Sequence, residues 1–299
     1  MVKEFEYTGK AMGTEYSVAI VCDSKDLADK MYEIAKKDIE IYESTFSRFL
    51  ETSELSILNK KKSIIASEIF FEATVKAYQL YVKTKGVFNP LFSISRLGYN
   101  KSFKDIKDIK DKEDESLYDI DFSSFLINPS VNLIKLNEGQ NLDYGGFLKG
   151  YLSEIIAKKI KLYSEKIIGV IINIGGDIYT EGLDENGNKF TFNIYNPVLE
   201  GKGISVTLYN QSLATSGTYK RTWLRFGEKT HHILDISGKK NPESNVVSAS
   251  VIHTDGATAE AYAKVFLSMD YKKALELLDD RNISFVVIKN NHQIINTTK

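Results

Sequence analysis

The sequence of 299 residues has little cysteine and little proline, with one cysteine at position 22 and four prolines. A single cysteine allows no disulfide within the chain and no cysteine-based zinc site. Four prolines are too few for a proline-rich linker. The longest aliphatic run, residues 167–172, is far shorter than the about 20 apolar residues that a membrane-spanning helix needs. We therefore expect no transmembrane segment.

The charge balance is close to neutral, with a formal net charge of −1 and a pI near 6.5. Such a chain has no bulk attraction for a phosphate backbone, and we expect no nucleic-acid partner. The composition, 42% hydrophobic and 26% charged, is that of a globular protein with a sizeable core. The first residues carry acids where a secretory signal carries basic residues. We expect either a cytoplasmic protein or one whose signal segment preceded residue 1.

Hydrophobic periodicity alternates along the chain between the helical and the extended pattern. Helical spacing predicts helices near residues 27–41, 67–83, 147–156, 258–267 and 272–280. Runs of β-branched and aromatic residues predict strands at 15–21, 131–136, 167–174, 248–252 and 284–288, with short strands between 189 and 236. The elements interleave without a β–α–β rhythm, which predicts an α+β fold with antiparallel or mixed sheets and packed helices. Residues 101–116 alternate Lys with Asp and Glu, which predicts a charged surface insertion.

Four glycine-bearing loops carry polar groups suited to phosphate or ribose, at residues 12–14, 143–150, 173–177 and 214–221. Glycine lets the backbone approach a ligand closely, and the loop at 143–150 opens a helix whose N-terminal N–H groups favour an anion. None of the four fits the P-loop or the dinucleotide-binding fingerprint. Each loop alone is also compatible with an ordinary turn.

Two further patterns place chemically versatile side chains together. The His231–His232 doublet is compatible with a metal ligand, a general base or simple packing. Glu260 and Lys264 lie one helical turn apart in an alanine-rich segment. Such a pair on a surface is a weak ion pair, but the many alanines indicate a closely packed helix.

Taken in order, several short motifs resemble those of the ApbE-type FAD:protein FMN transferases. The resemblance runs from Met12 to about Met269, and its most specific part is Thr-Ser-Gly-x-Tyr-x-Arg followed by His-His-Ile-Leu-Asp. The motifs lie at residues 12–14, 46–49, 53–56, 88–90, 143–151, 173–178, 214–221, 231–238 and 259–267. The resemblance implies a single ApbE-like domain of the T-fold type over residues 1–299.

The resemblance also implies an activity. Such enzymes bind FAD, break its pyrophosphate, release AMP and attach FMN through a phosphoester to a Thr or Ser of an acceptor protein. Two alternatives stay open on the same fold: a flavin-binding protein without transfer, and an FAD pyrophosphatase that uses water as nucleophile. The family usually works outside the cytoplasm, which makes an extracytoplasmic location the expectation from resemblance.

Site roles follow by similarity to the family. His232 would be the general base, with His231 as the competing assignment, and an imidazole whose pKa is near neutrality suits that role. The cofactor surface would be lined by Met12, Phe46, Val87, Phe88 and Asn89. Asp143 and Lys149 would contact the cofactor near the helix start. Thr215, Ser216 and Gly217 would approach its phosphates or isoalloxazine ring, and Asp235 completes the predicted set.

The metal positions depart from the family. Relatives hold Mg²⁺ with a backbone carbonyl, an Asp and usually a Thr; the matching positions here are Gly146, Glu260 and Lys264. A lysine contributes a cation and no lone pair. We therefore expect weak Mg²⁺ binding or none, with Lys264 competing for the Glu260 carboxylate and partly replacing the ion. The family's Asp-Pro-x-Thr-Gly is also shortened here, to Asp-Ile-Ser-Gly from Asp235.

Overall fold

The structure is a computed structural model that describes residues 1–92, 118–199, 203–278 and 280–298. The charged insertion predicted at 101–116 lies outside these residues. The helices are α1 (Lys25–Phe46), α2 (Glu54–Lys61), α3 (Glu68–Lys83), α4 (Leu148–Tyr163), α5 (Gly256–Ser268) and α6 (Tyr271–Leu277). The strands of the first half are β1 (Lys3–Ala11), β2 (Thr14–Cys22), β3 (Ser63–Ile65), β4 (Leu126–Asn128) and β5 (Leu133–Lys135).

The strands of the second half are β6 (Gly169–Ile174), β7 (Asp177–Gly182), β8 (Phe190–Ile194), β9 (Ile204–Leu208), β10 (Ser212–Gly217), β11 (Thr222–Arg225), β12 (Glu228–His231), β13 (Val246–His253), β14 (Ser284–Lys289) and β15 (Ile294–Asn296). Eight strands form one sheet in the order β1-β2-β6-β7-β10-β13-β14-β15. Every neighbouring pair in it is antiparallel. The predicted α+β class is confirmed, with the sheet antiparallel rather than mixed.

The large sheet is covered on both faces because its strands bury alternate residues in opposite directions. On β13, Val251 joins the main core with α1, α3, α4 and α5, whereas the next residue, Ile252, joins a smaller cluster. That smaller cluster includes Val206 and Leu208 of the β8–β9 hairpin. The helices therefore pack on one face of the sheet and the hairpin on the other. Both faces are covered because apolar side chains on a sheet must be buried against another element.

Helix starts follow ordinary capping chemistry. The hydroxyls of Ser24 and Ser67 accept hydrogen bonds from the backbone N–H groups of Leu27 and Phe70, at the starts of α1 and α3. Each side chain satisfies one of the N–H groups that a helix start leaves without an internal partner. The predicted helices at 27–41 and 67–83 are confirmed; α1 extends further, to Phe46, which brings its C-terminal end to the site.

The tight β1–β2 connection is the two-residue turn Met12-Gly13. Met12 has φ of 52° and Gly13 has φ of 70°. Positive φ at both central residues defines the type I′ hairpin turn, which matches the twist of the flanking strands. The turn projects Met12 beyond the end of the sheet, towards the C-terminal part of α1.

Helices α4 and α5 cross at two glycines. A Cβ built on Gly150 would lie 2.3 Å from the backbone oxygen of Gly256, and one on Gly256 would lie 2.2 Å from the oxygen of Gly150. Only glycine at both positions permits this approach.

Within the described residues no helix is long and apolar enough to cross a membrane. That residues 1–299 form one domain stays a prediction.

Candidate active site

A cavity of about 480 Å³ opens where seven parts of the fold converge. They are the β1–β2 turn, the end of α1, the loop at 87–89, the start of α4, the segment that precedes β11, the segment that follows β12, and α5. Ten residues singled out from the sequence line it: Met12, Phe46, Val87, Phe88, Asn89, Asp143, Gly146, Lys149, His232 and Lys264. Residues separated by up to 250 positions thus meet around one space.

Aromatic rings form the apolar wall of this cavity. The Phe46 ring stacks on Phe70 with centroids 5.1 Å apart and packs on Tyr144 at 5.5 Å. The Phe88 ring meets Phe147 edge-on at 6.0 Å. Both lining rings are almost fully buried, so their orientation is set by the core rather than by a ligand. An apolar wall with rigid rings suits a planar ligand such as a flavin ring system.

Met12 is held against the cavity by a backbone contact. Its N–H donates to the Oε1 of Glu43 on α1 at 2.6 Å. The hydrogen bond ties the hairpin turn to the helix across 31 positions of sequence and leaves the Met12 side chain at the cavity. Thioethers adapt their shape to a ligand, which fits the predicted role in lining the cofactor surface.

Asp143 fixes the loop that leads into α4. Its Oδ1 accepts from the N–H of Gly145 at 2.8 Å, and its Oδ2 pairs with the Nη1 of Arg48 at 3.0 Å. Both side chains of the ion pair are about four-fifths buried, which strengthens it relative to a surface pair. Gly146 lies close to Phe88: an added Cβ would come within 2.9 Å of that ring.

Four ionisable side chains, from α4, β7 and α5, cluster at the buried start of α4. The Nζ of Lys149 contacts Asp177 and lies 2.9 Å from the Oε1 of Glu260. The Nζ of Lys264 lies 3.0 Å from the same Oε1. The Oε2 of Glu260 accepts from the N–H of Gly150 at 2.9 Å. The contact between Glu260 and Lys264 predicted from their spacing is present.

Burial and the neighbouring opposite charges shift the pKa values of these side chains in opposite directions. Burial raises the pKa of Glu260, but Lys149 and Lys264 outweigh that effect and hold the pKa at about 2. Burial lowers the pKa of Lys149, and Asp177 with Glu260 more than reverse it, so the pKa is raised. For Lys264 burial prevails and its pKa is lowered. Glu260 is therefore a carboxylate and Lys149 an ammonium at neutral pH.

These residues do not fit a magnesium ion. Mg²⁺ needs several oxygen ligands in near-octahedral geometry, and both oxygens of Glu260 already accept hydrogen bonds. The position for which the resemblance implies an oxygen ligand carries Lys264, whose Nζ lies 3.0 Å from the Oε1 of Glu260. A divalent ion beside this ammonium would be repelled by on the order of 4 kcal/mol per unit of its charge at about 4 Å, for an effective dielectric constant of 20.

His232, and not His231, lines the cavity. In the part of the chain that the structure describes, the Nδ1 of His232 is buried without a hydrogen-bond partner. Burial, then the charges of Arg221, Lys264 and His231, lower its pKa to about 3. The imidazole is therefore neutral, as a base must be, but its pKa is far below the near-neutral value expected from the sequence. Desolvation beside cations, invisible in the sequence, is the cause.

His231 belongs to the framework of the loop. Its Nδ1 accepts from the N–H of Ile233 at 3.3 Å, and the side chain of Asn241 bonds its backbone N–H and oxygen. The same amide donates to the oxygen of Ile233. The position of His231 therefore does not support the competing assignment of this residue as general base.

Four residues of the predicted cofactor set lie outside the cavity lining. Thr215 shares a hydrogen bond of 2.8 Å with Ser250 on the neighbouring strand, and Ser216 and Gly217 continue the same strand. The Oδ1 of Asp235 accepts from the N–H and hydroxyl of Ser237, which closes the shortened turn. Contact of Thr215, Ser216, Gly217 and Asp235 with a cofactor stays a prediction.

Two arginines that were not among the predicted site residues also line the cavity, Arg48 and Arg221. Each follows a motif that was noted: Arg48 lies in Phe-Ser-Arg-Phe, and Arg221 ends the segment 214–221 in which hydroxyls precede cations. With Lys149 and Lys264 they give the cavity four basic side chains, against the acids Glu43 and Asp143. Basic side chains therefore outnumber acidic ones in the lining, which suits an anionic ligand.

Comparison with known proteins shows the family of this chain. The profile of the ApbE family matches residues 12–287, and the chain belongs to that family. It is 23% identical to the FAD:protein FMN transferase of Klebsiella pneumoniae, covering 97% of this chain and 91% of the relative. It is 24% identical to the transferase of the same name from Buchnera aphidicola, covering 97% and 87%.

Solved structures share the fold. The ApbE protein of Thermotoga maritima superimposes with a TM-score of 0.82 at 21% identity, covering 98% of this chain and 97% of that one. The flavin transferase ApbE of Vibrio cholerae superimposes with a TM-score of 0.79 at 17% identity, covering 100% and 98%. At these identities the likeness establishes the architecture.

Proposed function

We propose that this protein is an FAD:protein FMN transferase that attaches FMN to a Thr or Ser hydroxyl of an acceptor protein. The proposal is supported by membership of the ApbE family and by curated relatives with that name over nearly the whole chain. The observation that carries it in this chain is the placement of His232. A neutral imidazole shares one cavity with an aromatic wall and an excess of basic side chains.

The reaction is a phosphoryl transfer. The hydroxyl oxygen of the acceptor attacks the phosphorus of the FMN half of FAD, and a new P–O bond forms. The bond from that phosphorus to the bridging oxygen breaks, and AMP leaves with the bridging oxygen and its electron pair. The hydroxyl proton passes to the His232 imidazole, which is neutral before the reaction and charged after it.

Positive charge in the cavity assists two steps. Arg48, Arg221 and Lys264 line the space where the pyrophosphate would lie and offset the charge that develops on the departing AMP. Burial is the largest cause of the low pKa of His232, and the incoming phosphates would neutralise the cations that lower it further. FAD binding therefore raises the basicity of His232 when it is needed.

The aromatic wall suits the isoalloxazine ring. Phe46 and Phe88 are fixed by other rings, so they present a preformed surface, and the Met12 side chain adapts to what lies beside it. The adenosine half would occupy the remaining length of the open cavity, with Asn89 at its edge. We also propose an extracytoplasmic location, which rests on the family alone.

Covalent flavin on an acceptor protein is the decisive product. We would incubate the protein with FAD and an acceptor that the Vibrio cholerae flavin transferase modifies, then map FMN by mass spectrometry and measure AMP. FMN on a Thr or Ser with an equal amount of AMP supports the proposal. AMP and free FMN without an adduct would indicate an FAD pyrophosphatase, and bound flavin without AMP would indicate a flavin-binding protein.

A further inference from the structure

Two ammonium groups share one carboxylate oxygen at the edge of the cavity. Lys149 and Lys264 reach the Oε1 of Glu260 from 2.9 and 3.0 Å, and they come from different helices. The Glu260 side chain is fully buried, while those of Lys149 and Lys264 are 15% and 19% exposed. The remaining oxygen of Glu260 holds the N–H of Gly150. Both oxygens of this carboxylate are therefore engaged within the protein.

The two lysines are not equivalent. Lys149 contacts both Asp177 and Glu260, so two buried acids engage its ammonium. Burial and then Glu260 raise the pKa of Asp177, whereas Lys149 and Lys264 keep Glu260 ionised. Lys264 has the single acid partner Glu260 among its ion pairs in the described ranges, and it also lines the cavity. Its ammonium is the one that remains available to a ligand.

We propose that Lys264 is a resident cation that contacts the pyrophosphate of the flavin dinucleotide, so that the site works without a divalent metal ion. The reaction in this inference, transfer of FMN with departure of AMP, rests on the proposed function. While the acceptor oxygen bonds to phosphorus and AMP departs with the bridging oxygen, Lys264 offsets the negative charge on the leaving phosphate. Glu260 and Lys149 are positioning residues: they hold the ammonium at the cavity and anchor it to the start of α4.

The position of Lys264 is fixed by the packing of α5 rather than by a ligand. It lies one turn after Glu260 on a helix whose residues from Gly256 to Ala263 are all buried. Its chain passes Gly146, where an added Cβ would lie 3.8 Å from the Lys264 Cδ. A lysine held in this manner loses less entropy when a phosphate binds than one that extends into solvent.

The first arm of the test measures metal binding directly. Mn²⁺ replaces Mg²⁺ as the probe, and electron paramagnetic resonance counts free ions in the presence of the full-length protein with and without FAD. We expect the wild-type protein to bind no Mn²⁺ below about 1 mM, and Lys264→Thr, which restores a neutral oxygen, to bind at least about tenfold more tightly. Tight, stoichiometric binding by the wild-type protein would overturn the proposal.

The second arm measures flavin binding in excess chelator. Riboflavin has the same ring system as FAD but no phosphate, so the ratio of the two affinities isolates the contribution of the phosphates. We expect Lys264→Met to weaken FAD binding at least about tenfold and to leave riboflavin binding unchanged. Lys264→Arg, which keeps the charge, should stay within about threefold of wild type. An unchanged ratio in Lys264→Met, with the protein folded, would contradict the proposal.

The matched control removes a lysine that also pairs with an acid one helical turn away but lies outside the cavity lining. Lys25 pairs with Asp29 one turn away on α1, and its side chain is 68% exposed. Lys25→Met should leave both flavin affinities and Mn²⁺ binding unchanged. Both arms use binding alone, so failure to find an FMN adduct would reject the proposed function without affecting this test. Conversely, transfer that disappears in chelator and returns with Mg²⁺ would support the function and overturn the role of Lys264.

Discussion

Glu154 and Glu260 each cap the helix on which the other lies. The Oε2 of Glu154, on α4, accepts from the N–H of Gly256 at the start of α5 at 2.7 Å. The Oε2 of Glu260, on α5, accepts from the N–H of Gly150 at the start of α4 at 2.9 Å. Carboxylates at helix starts satisfy unpaired N–H groups and interact favourably with the helix dipole. The exchange is possible only because Gly150 and Gly256 let the two backbones touch.

Replacing Gly150 by alanine should therefore destabilise the protein. In an exposed helix interior this change normally stabilises by roughly 0.8–1.0 kcal/mol. Here the new Cβ would lie 2.3 Å from a backbone oxygen of α5 and must separate the helices. We expect the free energy of unfolding in urea to fall by about 1–3 kcal/mol. A variant as stable as wild type would show that the crossing is looser than described.

Loss of the His232 imidazole should reduce transfer and leave cofactor binding nearly intact. His232→Asn should lower the rate of FMN transfer by roughly 10²–10⁴-fold, the usual contribution of a positioned general base. FAD affinity, measured by flavin fluorescence, should change little. His231→Asn is the matched control because His231 lies outside the cavity lining. Loss of transfer in the control, with His232→Asn active, would reverse the assignment.

The depressed pKa of His232 predicts an unusual pH profile. The base must be deprotonated, and with a pKa of about 3 it stays so in the free protein down to pH 5. The kcat/KM for FAD should therefore not fall between pH 7 and pH 5 through this group. A histidine with the ordinary pKa of about 6.5 would lose about 25-fold of its deprotonated form over the same interval. The pH profile of the His232→Asn variant is the control. A loss of that size in the wild-type protein, but not in the variant, would show that His232 titrates normally.

The Arg48–Asp143 pair should couple the end of α1 to the loop before α4. Arg48→Met and Asp143→Asn, alone and together, form a double-mutant cycle read by urea unfolding. Because both side chains are about four-fifths buried, we expect a coupling energy of about 0.5–3 kcal/mol. The same cycle on the exposed pair Lys25–Asp29 should give roughly 0.3–0.5 kcal/mol. Equal couplings in the two cycles would mean that the buried pair has no special role in holding the loop.

Local sequence patterns predicted elements that are decided locally. The helix at 67–83 and the strand at 167–174 follow from periodicity and, for the helix, from the Ser67 cap. The sequence analysis did not predict β1, whose residues alternate but are mostly exposed, because it lacks the apolar signal of a buried strand. Helix α2 was also missed. Its eight residues are too few for a clear helical period.

The site could be predicted only in part, because local patterns predict only contacts between residues that are close in sequence. The contact between Glu260 and Lys264 follows from helical spacing, whereas Lys149 and Glu260 are 111 positions apart. Arg48 and Asp143 are 95 positions apart. Pairings over such distances depend on how the elements pack, which no local pattern encodes. The depressed pKa of His232 also depends on burial beside Arg221 and Lys264.

The central claim is that this protein moves FMN from FAD to a hydroxyl of another protein. The most direct measurement is intact-mass spectrometry of an acceptor protein coexpressed with this chain, in parallel with coexpression of His232→Asn. We predict that the wild-type chain adds the mass of one FMN less water to the acceptor, that fragmentation places it on a Thr or Ser, and that the variant yields little adduct. An acceptor that stays unmodified with the wild-type chain, while the Vibrio cholerae flavin transferase modifies it under the same conditions, would contradict the account.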